Sequence, residues 1–242
     1  MKQVLITGVS GGIGSALAKS FRESGYYVFG IDLSEKYNGY CDRFFNLDLN
    51  KFCTDARYRI EQTGILDEYV TSLDVLINNA AVQRLDKFEN LKLDDWQETL
   101  NVNLTTPMIL SKIFLSRLKE RKGCIINIAS IHRDQTKREF IAYATSKSAL
   151  IGFTKSLAVD LAGAVRVNAI SPAAIKTKML LDGFGGDESV LEKLNKVHPT
   201  QRIGEPEEVA NLALFLSSKK AAFINGANIK LDGGISSVLT DI

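Results

Sequence analysis

Two side chains able to exchange a proton stand four residues apart in the segment Tyr143-Ala-Thr-Ser-Lys147. On a helix, residues at this spacing share one face, so the phenol and the amine come within reach of each other. A phenol with a pKa of about 10 is a poor base at neutral pH, and a neighbouring ammonium lowers that pKa by favouring the phenolate. The spacing therefore predicts a general acid/base pair, although Tyr/Lys pairs at this spacing are also common on protein surfaces, where they have no catalytic role.

A hydroxyl group stands upstream of this pair, at the end of an apolar run. Ser130 closes the segment Cys-Ile-Ile-Asn-Ile-Ala-Ser at 124–130, which has the composition of a buried strand. In a parallel sheet the carboxyl ends of the strands form the edge at which ligands bind. Ser130 can therefore hydrogen-bond a substrate oxygen there, or it can simply cap the turn that follows the strand.

A glycine-rich segment, Thr-Gly-Val-Ser-Gly-Gly-Ile-Gly at 7–14, joins the apolar run 4–6 to a helical pattern. This order places bare backbone amides at a helix N-terminus, which is a site for anions. Gly8 permits a tight turn, Gly12 lets a pyrophosphate approach the main chain, and Gly14 lets helix and strand pack closely. The spacing predicts a dinucleotide site, although a purely structural turn would have the same pattern.

An acidic residue bears on which dinucleotide would bind. Asp32 ends the second predicted strand, about 20 residues past the glycines, where a carboxylate accepts hydrogen bonds from a ribose diol. The same carboxylate repels a 2′-phosphate, and neither the glycine segment nor Leu33 supplies a cation to neutralise one. NAD is therefore expected in preference to NADP, with Lys36 the one nearby cation that opposes this preference.

The elements that must position these groups alternate along the chain of 242 residues. Strands are predicted at 4–7, 26–31, 44–47, 74–78, 124–130, 165–171 and 228–231, and helices near 12–24, 50–70, 93–120, 141–162 and 206–217. Such alternation predicts an α/β fold with a parallel sheet covered on both faces. No linker interrupts it, so we expect one domain over 1–242, with 178–200 either a small substrate lid or a rigid surface excursion.

Composition excludes several classes of function. A net charge of +2 is too small to indicate a nucleic-acid surface. The three cysteines, Cys41, Cys53 and Cys124, form no CxxC pair, which argues against a disulfide framework and a zinc site. No apolar run approaches the length of about 18 residues that a membrane span requires. We therefore expect a cytoplasmic protein with a small-molecule substrate and no metal, nucleic-acid or membrane partner.

Taken together, these residues resemble the short-chain dehydrogenase/reductase family from residue 4 to about 234. The resemblance rests on the glycine segment, Asp32, Asp48-Leu49, Asn-Asn-Ala-Ala at 78–81, Asn103 in Asn-Val-Asn-Leu-Thr-Thr, Ser130, the Tyr143/Lys147 pair, and Asn-Ala-Ile-Ser-Pro-Ala-Ala-Ile-Lys-Thr at 168–177. It implies a Rossmann-type doubly wound sheet of seven parallel strands in the order 3-2-1-4-5-6-7. It also implies hydride transfer between a nicotinamide and a carbon that bears the substrate oxygen.

The resemblance further implies roles for individual residues. The catalytic set would be Asn103, Ser130, Tyr143 and Lys147, with Tyr143 as the base and Asn103 anchoring a water that passes the proton toward solvent. The cofactor would lie along Gly8, Ser10, Gly12, Ile13, Gly14, Asp32, Leu33, Asp48, Leu49, Asn79, Ala80, Tyr143, Lys147, Ile175 and Thr177. Two departures add a methyl group near the pocket, since Ala81 and Ala173 stand where the family usually has glycine.

Three functions fit these features. The first is NAD-dependent interconversion of a secondary alcohol, of the sugar, polyol or hydroxy-acid type, with its ketone. The second is reduction of a 3-oxoacyl thioester, which usually employs NADPH and so fits Asp32 less well. The third is a dinucleotide-sensing regulator without turnover, against which the joint presence of Ser130, Tyr143 and Lys147 argues.

Basic residues gather around the predicted pocket mouth. His132, Arg133, Lys137 and Arg138 follow Ser130, and Arg84 follows the Asn-Asn-Ala-Ala segment. They predict either a carboxylate- or phosphate-bearing substrate held by arginines, or a solvated loop of mixed charge, because Asp134 and Glu139 are interleaved. His132 itself fits a pocket wall or turn better than a second base.

Two further expectations concern packing. Trp96 falls at an apolar helical position and is predicted to lie in the core. The helix at 141–162 has two apolar strips, one with Leu150, Leu157 and Leu161 and one with Ala142, Ala149 and Phe153. A helix that is apolar on two faces needs two partners, and the resemblance implies that the second partner is another subunit in a homodimer or homotetramer.

Overall fold

The computed structural model of the chain describes residues 1–34, 39–178, 180 and 188–239. Within them one parallel sheet contains seven strands, β1 (Lys2–Thr7), β2 (Tyr26–Asp32), β3 (Arg43–Asn46), β4 (Val75–Asn78), β5 (Cys124–Ile128), β6 (Arg166–Pro172) and β7 (Asn228–Leu231). Their order across the sheet is β3-β2-β1-β4-β5-β6-β7. The predicted Rossmann-type α/β sheet and its strand order are confirmed.

Helices cover both faces of this sheet. Their bounds are α1 (Gly12–Glu23), α2 (Leu49–Thr54), α3 (Ala56–Tyr69), α4 (Leu93–Leu100), α5 (Thr106–Ile113), α6 (Leu115–Glu120), α7 (Ile141–Asp160), α8 (Glu188–Val197) and α9 (Pro206–Ser217). A π-helical turn at Asn101–Thr105 joins α4 to α5, and a 3-10 turn at Ile131–Arg133 follows β5. Helices α1 and α9 pack on one face of the sheet, and α3, α5, α6 and α7 pack on the other.

The core consists of one apolar layer on each face of the sheet. In β1, Val4 and Ile6 point into the layer formed with α1 and α9, while Leu5 points into the layer formed with α3, α5 and α7. All three are fully buried. Because both faces are covered, the central strands are apolar at successive positions rather than at alternate ones.

Two helices predicted as continuous are divided in the structure. The segment predicted as 50–70 breaks at Asp55, whose backbone is extended and whose carboxylate accepts hydrogen bonds from the amides of Arg57 and Tyr58. The segment predicted as 93–120 contains the π turn and a further break at Phe114. The periodicity of apolar residues in the sequence does not reveal such helix breaks, because the apolar stripe continues across them.

Trp96 does not lie in the core, so that prediction is wrong. It is partly exposed on α4 and lines a surface hollow of about 300 Å³ together with Phe88, Leu91, Lys92 and Leu93. The side chains of Phe88 and Leu93 are themselves 76% and 77% exposed. An apolar position in a helical pattern indicates one face of the helix, and here α4 turns part of that face outward.

The predicted lid lies partly outside the described residues, which omit Met179 and 181–187. The described part includes α8, which leads to His198 and the loop that precedes α9. None of the helices in the described ranges is both long enough and apolar enough to span a membrane.

Candidate active site

The glycine segment forms a tight turn between β1 and α1. Gly8 has a φ of +71°, and a Cβ at this position would lie 2.8 Å from the Cα of Ala80. A Cβ on Gly14 would collide with the carbonyl oxygen of Gly8. Glycine is therefore required at Gly8 by backbone conformation and at Gly14 by the close approach of α1 to the turn.

The N-terminus of α1 fits the anionic part of a dinucleotide. The helix begins after Gly11, which has no side chain to cap it, and its first turn contains no acidic residue. The first amides of a helix carry partial positive charge and need acceptors. A Cβ on Gly12 would lie 2.8 Å from Cγ2 of Thr177, so these two predicted cofactor residues face each other across the turn.

Polar groups from neighbouring strands hold this turn in place. The side-chain amide of Asn79 donates to the carbonyl oxygens of Thr7 and Gly8 at 2.9 and 3.1 Å. The hydroxyl of Thr7 accepts from the backbone amides of Asn79 and Ala80, both at 3.0 Å. Asn79, which is predicted to lie along the ribose side, therefore braces the glycine turn.

Asp32 lies where the sequence predicts it, at the end of β2 beside the glycine turn. Its carboxylate accepts hydrogen bonds from the backbone amides of Ser10 at 2.9 Å and Ser34 at 3.2 Å. These bonds fix the carboxylate at the sheet edge, next to Leu33, whose side chain is largely exposed. Lys36, the cation that opposes a preference for NAD, lies outside the described residues.

Asp48 and Leu49 follow β3 at the same edge. The backbone amide of Leu47 donates to the carbonyl oxygen of Asp32 at 2.9 Å, which brings the two segments together. Oδ1 of Asp48 accepts from the amides of Asn50 and Lys51 at 2.9 and 3.0 Å, so this carboxylate also caps α2. Its contact with an adenine stays a prediction.

Ser130, Tyr143 and Lys147 come together at the carboxyl end of β5. Ser130 is buried just beyond that strand, and its side chain is hydrogen-bonded to the Tyr143 side chain. Tyr143 and Lys147 project from α7, with Nζ of Lys147 at 5.7 Å from the centroid of the phenol ring. Nζ also donates to the carbonyl oxygen of Ile128 at 2.7 Å, within a fully enclosed environment.

Burial alters the protonation of this pair in a direction that the sequence did not predict. Burial raises the pKa of Tyr143, an effect that its hydrogen bond to Ser130 opposes only in part. Burial also lowers the pKa of Lys147 from 10.5 to about 8. The expectation of a lowered phenol pKa is wrong, because desolvation of Tyr143 raises this pKa and Nζ of Lys147 donates instead to the carbonyl oxygen of Ile128.

Asn103 occupies the π-helical turn and is almost fully buried. Its Oδ1 accepts from the amide of Val82 at 2.9 Å, and its Nδ2 donates to the carbonyl oxygen of Val82 and to Oγ of Ser146, both at 3.0 Å. Ser146 immediately precedes Lys147 on α7. Asn103 therefore ties the catalytic helix to the segment after β4, a link that sequence spacing does not reveal. π turns are often associated with functional sites.

The segment after β6 closes the site opposite the glycine turn. Ile175 is buried and pairs through its backbone with Gly204, and the hydroxyl of Thr177 accepts from the amide of Leu180 at 3.3 Å. The amide of Ala173 donates to the carbonyl oxygen of Leu231 at 3.0 Å. Ala173 and Ala81, the two departures from the family pattern, are each partly exposed.

An aromatic wall next to Tyr143, formed by His132 and Phe140, was not predicted from the sequence. The ring of His132 stacks on Phe140 with centroids 4.4 Å apart and planes 17° apart. The same ring meets Tyr143 edge-on, with centroids 5.9 Å apart. Phe140 stands three residues before Tyr143, and that helical spacing is the signal that could have revealed it.

Two of the basic residues at the pocket mouth are already paired with carboxylates. Arg84 binds Glu98 through two hydrogen bonds of 2.7 and 3.0 Å. Arg133 binds Asp134 at 2.7 Å, and Lys230 on β7 approaches the same carboxylate at 3.3 Å. The observed pairing agrees with the mixed-charge alternative at these two arginines.

Comparison with known proteins places this arrangement in a family. A family model described as enoyl-(acyl carrier protein) reductase matches residues 8–236. The 3-oxoacyl-[acyl-carrier-protein] reductase FabG of Buchnera aphidicola (subsp. Acyrthosiphon pisum) is 34% identical, with 95% of each chain covered. The D-threitol dehydrogenase of Mycolicibacterium smegmatis is 32% identical and covers 96% of this chain and 92% of its own length.

A solved structure agrees with the sequence relatives. The ligand-free aldohexose dehydrogenase of Thermoplasma acidophilum superimposes with a TM-score of 0.90 at 31% identity, over 100% of this chain and 96% of that one. The likeness thus extends over the whole sheet and the site at its carboxyl edge. The chain belongs to the short-chain dehydrogenase/reductase family and is an NAD(P)-dependent oxidoreductase that acts on CH–OH groups.

Proposed function

We propose that the protein oxidises a secondary alcohol of the polyol or sugar type to its ketone with NAD, and that Asn103, Ser130, Tyr143 and Lys147 carry out the reaction. The single observation on which the proposal depends is the grouping of buried Ser130 and Lys147 with the partly exposed Tyr143 at the sheet edge that also bears the glycine turn. The nicotinamide, when bound, supplies the hydride acceptor.

Within this cluster Ser130 and Tyr143 have complementary roles. Their side chains are hydrogen-bonded to each other, so one substrate oxygen can contact both. Once its own proton has been lost, Tyr143 as the tyrosinate accepts the proton of the substrate hydroxyl, and Ser130 donates a hydrogen bond to the resulting oxygen. In the reverse direction Tyr143 returns the proton to the carbonyl oxygen.

Lys147 and Asn103 support that proton transfer. Lys147 holds the nicotinamide ribose and stabilises the tyrosinate as it forms, while its bond to Ile128 keeps the amine buried beside the phenol. Asn103 positions α7 through Ser146 and the segment after β4 through Val82, in addition to the water that the family resemblance assigns to it. The cofactor lies along the glycine turn, Asp32, Asp48, Asn79, Ile175 and Thr177.

Electrostatics favour NAD over NADP. The Asp32 carboxylate stands beside the glycine turn with both oxygens directed by backbone amides. A 2′-phosphate placed against it would meet like charge, whereas a ribose diol would meet two hydrogen-bond acceptors. A neutral polyol or sugar is also the substrate class that suits a pocket mouth whose Arg84 and Arg133 are already neutralised.

A second candidate is reduction of a 3-oxoacyl thioester. The identity of 34% to the Buchnera reductase supports it, and the identity of 32% to the threitol dehydrogenase is nearly as high. Asp32 opposes the NADPH that such reductases usually employ. The two candidates therefore differ in both substrate and cofactor, which makes them separable in one assay.

A substrate screen with both cofactors tests the proposal. Purified protein is assayed with NAD and NADP against polyols, sugars, hydroxy acids and steroid alcohols, and with NADH and NADPH against an acyl thioester, by following reduced-nicotinamide absorbance. We expect turnover of a polyol or sugar with a higher kcat/KM for NAD. Reduction of the thioester with NADPH as the better cofactor would instead support the second candidate.

Replacement of Tyr143 tests the assignment of the base. Tyr143→Phe removes the proton acceptor but retains the ring, so kcat should fall by about 10²- to 10⁴-fold. NADH binding, measured by fluorescence titration, should remain within about twofold of wild type. Tyr69→Phe, the same chemical change at the end of α3 and away from the site, serves as the control and should retain the wild-type kcat. Substantial turnover by Tyr143→Phe would contradict the assignment.

A further inference from the structure

His132 contacts both groups that are proposed to hold the reacting oxygen, one through its backbone amide and the other through its ring. Its backbone amide donates to Oγ of Ser130 at 3.2 Å, and its ring meets the Tyr143 ring edge-on with centroids 5.9 Å apart. A substituent on the carbon next to the reacting carbon extends from the Ser130/Tyr143 pair toward the surrounding wall. His132 is the residue of that wall that contacts both members of the pair.

Packing fixes the orientation of the imidazole. One face stacks on Phe140 at a centroid distance of 4.4 Å, and the edge of Tyr143 limits movement on the other side. Nδ1 lies 3.4 Å from the Thr136 hydroxyl, a long and weak contact. Among the described residues, no hydrogen-bond partner occupies Nε2. A fixed ring nitrogen without a protein partner is available to a ligand.

The charge state of the His132 ring favours an uncharged ligand group as its hydrogen-bond partner. Burial, with the nearby Lys137 cation, lowers the pKa of His132, so the imidazole is neutral at pH 7. A neutral imidazole exchanges a hydrogen bond with a hydroxyl in either tautomer, but it offers no positive charge to a carboxylate. Of the other cations at the mouth, Arg84 and Arg133 are paired with Glu98 and Asp134, and Lys137 stands over the Phe140 ring, 4.5 Å from its centroid.

We propose that Nε2 of His132 hydrogen-bonds a second hydroxyl, on the carbon adjacent to the one oxidised, and thereby selects vicinal diols. This assignment rests on the proposed alcohol oxidation and narrows its substrate class. Oxygens on adjacent carbons lie about one hydrogen-bond length apart. A diol oxygen beside the one held by Ser130 and Tyr143 is therefore within the region that the His132 ring borders. A site built around such a contact discriminates against an analogue that lacks the hydroxyl.

Matched alcohols and two His132 variants test the assignment. Wild type, His132→Phe and His132→Gln are assayed with NAD on meso-butane-2,3-diol and on butan-2-ol. Phenylalanine preserves the ring that stacks on Phe140 and removes both nitrogens, whereas glutamine restores a polar atom at the distance of Nε2. NADH affinity and the thermal midpoint of each variant are measured alongside.

We expect wild type to prefer the diol, and His132→Phe to lower kcat/KM for the diol by about tenfold while that for butan-2-ol changes by less than about twofold. His132→Gln should recover part of the diol activity. Equal losses on both alcohols, or no preference of wild type for the diol, would overturn the role of His132 and leave alcohol oxidation standing. Absence of turnover of any alcohol by a wild type that binds NADH would overturn the proposed function, and this assignment with it.

Discussion

At the scale of single residues, burial determines the protonation of the proposed catalytic pair, Tyr143 and Lys147. Lys147 is buried and Tyr143 is partly buried, and loss of solvent disfavours the charged form of each, so the pKa of the phenol rises and that of the amine falls. The proton to be exchanged therefore rests on Tyr143 at neutral pH. Lys147 still carries its charge at neutral pH, where it can stabilise a tyrosinate once substrate and cofactor displace solvent from the cluster.

The pH dependence of stability should report the buried amine. The pKa of Lys147 is about 8 in the folded chain and 10.5 as its ordinary value, so between these limits the unfolded chain holds a proton that the folded chain has lost. Folding stability attributable to Lys147 therefore rises with pH across this window, by up to about 3 kcal/mol. Lys147→Met should abolish that contribution.

Urea unfolding of wild type and Lys147→Met at several pH values between 7.5 and 10 measures the difference. Other groups titrate equally in both proteins, so the stability of wild type relative to the variant isolates Lys147. The relative stability of wild type should increase as the pH rises. A stability difference that stays constant over this range would mean that burial does not lower the pKa of Lys147.

At the scale of elements, the site is built where helices begin, break or turn. α1 starts on the bare amides after the glycine turn, α2 starts on the Asp48 carboxylate, and the π turn at Asn101–Thr105 presents Asn103 to α7. The Asp48 carboxylate satisfies amides at the start of α2, whereas the first amides of α1 have no side-chain cap. The same junctions bear most of the residues proposed to hold cofactor and substrate.

Close packing of α1 on its turn gives a prediction about stability. Gly14→Ala places a methyl group against the carbonyl oxygen of Gly8, so α1 must shift away from the turn. The free energy of unfolding should fall by about 1–3 kcal/mol, and NADH affinity should weaken as the turn moves. Chemical denaturation and fluorescence titration measure the two effects.

Gly64→Ala provides the matched control for Gly14→Ala. Gly64 is exposed within α3, and a Cβ there meets no atom of the described chain within 4 Å. Alanine should stabilise α3 by about 0.5–1 kcal/mol because it has the higher helix propensity. Equal effects of the two substitutions would contradict the argument that contact with Gly8, rather than helix propensity, determines the choice at Gly14.

At the scale of the whole molecule, α7 supports the active site on one side and presents a second apolar strip on another. Ala142 on that strip is buried, Phe153 packs partly against Ala129, Leu150, Ile151 and Ala169, and Ala149 is only half-buried. The strip therefore finds part of its partner within the chain. We propose that a second subunit covers the remainder in a homodimer or homotetramer.

Light scattering coupled to size exclusion tests this assembly. Wild type should elute with two or four times the chain mass of 26.7 kDa. Ala149→Glu places a carboxylate on the strip and should lower the mass at equal concentration, since a charge buried without a partner is costly. Lys155→Glu, at an exposed position on α7, should retain the wild-type mass. A monomeric wild type, or no response to Ala149→Glu, would contradict the proposal.

Local and periodic features of the sequence determined much of the fold and the local geometry of the candidate site. The apolar runs and their alternation with helical segments predicted the strands and their parallel orientation, whereas the order of the strands came from the family resemblance. The glycine segment and the Tyr143/Lys147 spacing predicted a turn and a shared helical face, because those properties depend on neighbours within a few residues. Resemblance to the family added Asn103, Asp48 and the segment after β6.

Only the tertiary structure decided features that depend on groups distant along the chain. The amine of Lys147 is bound by Ile128, Arg84 by Glu98, and Asn103 by Val82 and Ser146. The direction of the Tyr143 pKa, the exposure of Trp96 and the stacking of His132 on Phe140 follow from what packs around each side chain. Sequence pattern specifies which face of an element is apolar, but desolvation and pairing depend on which atoms folding brings against that face.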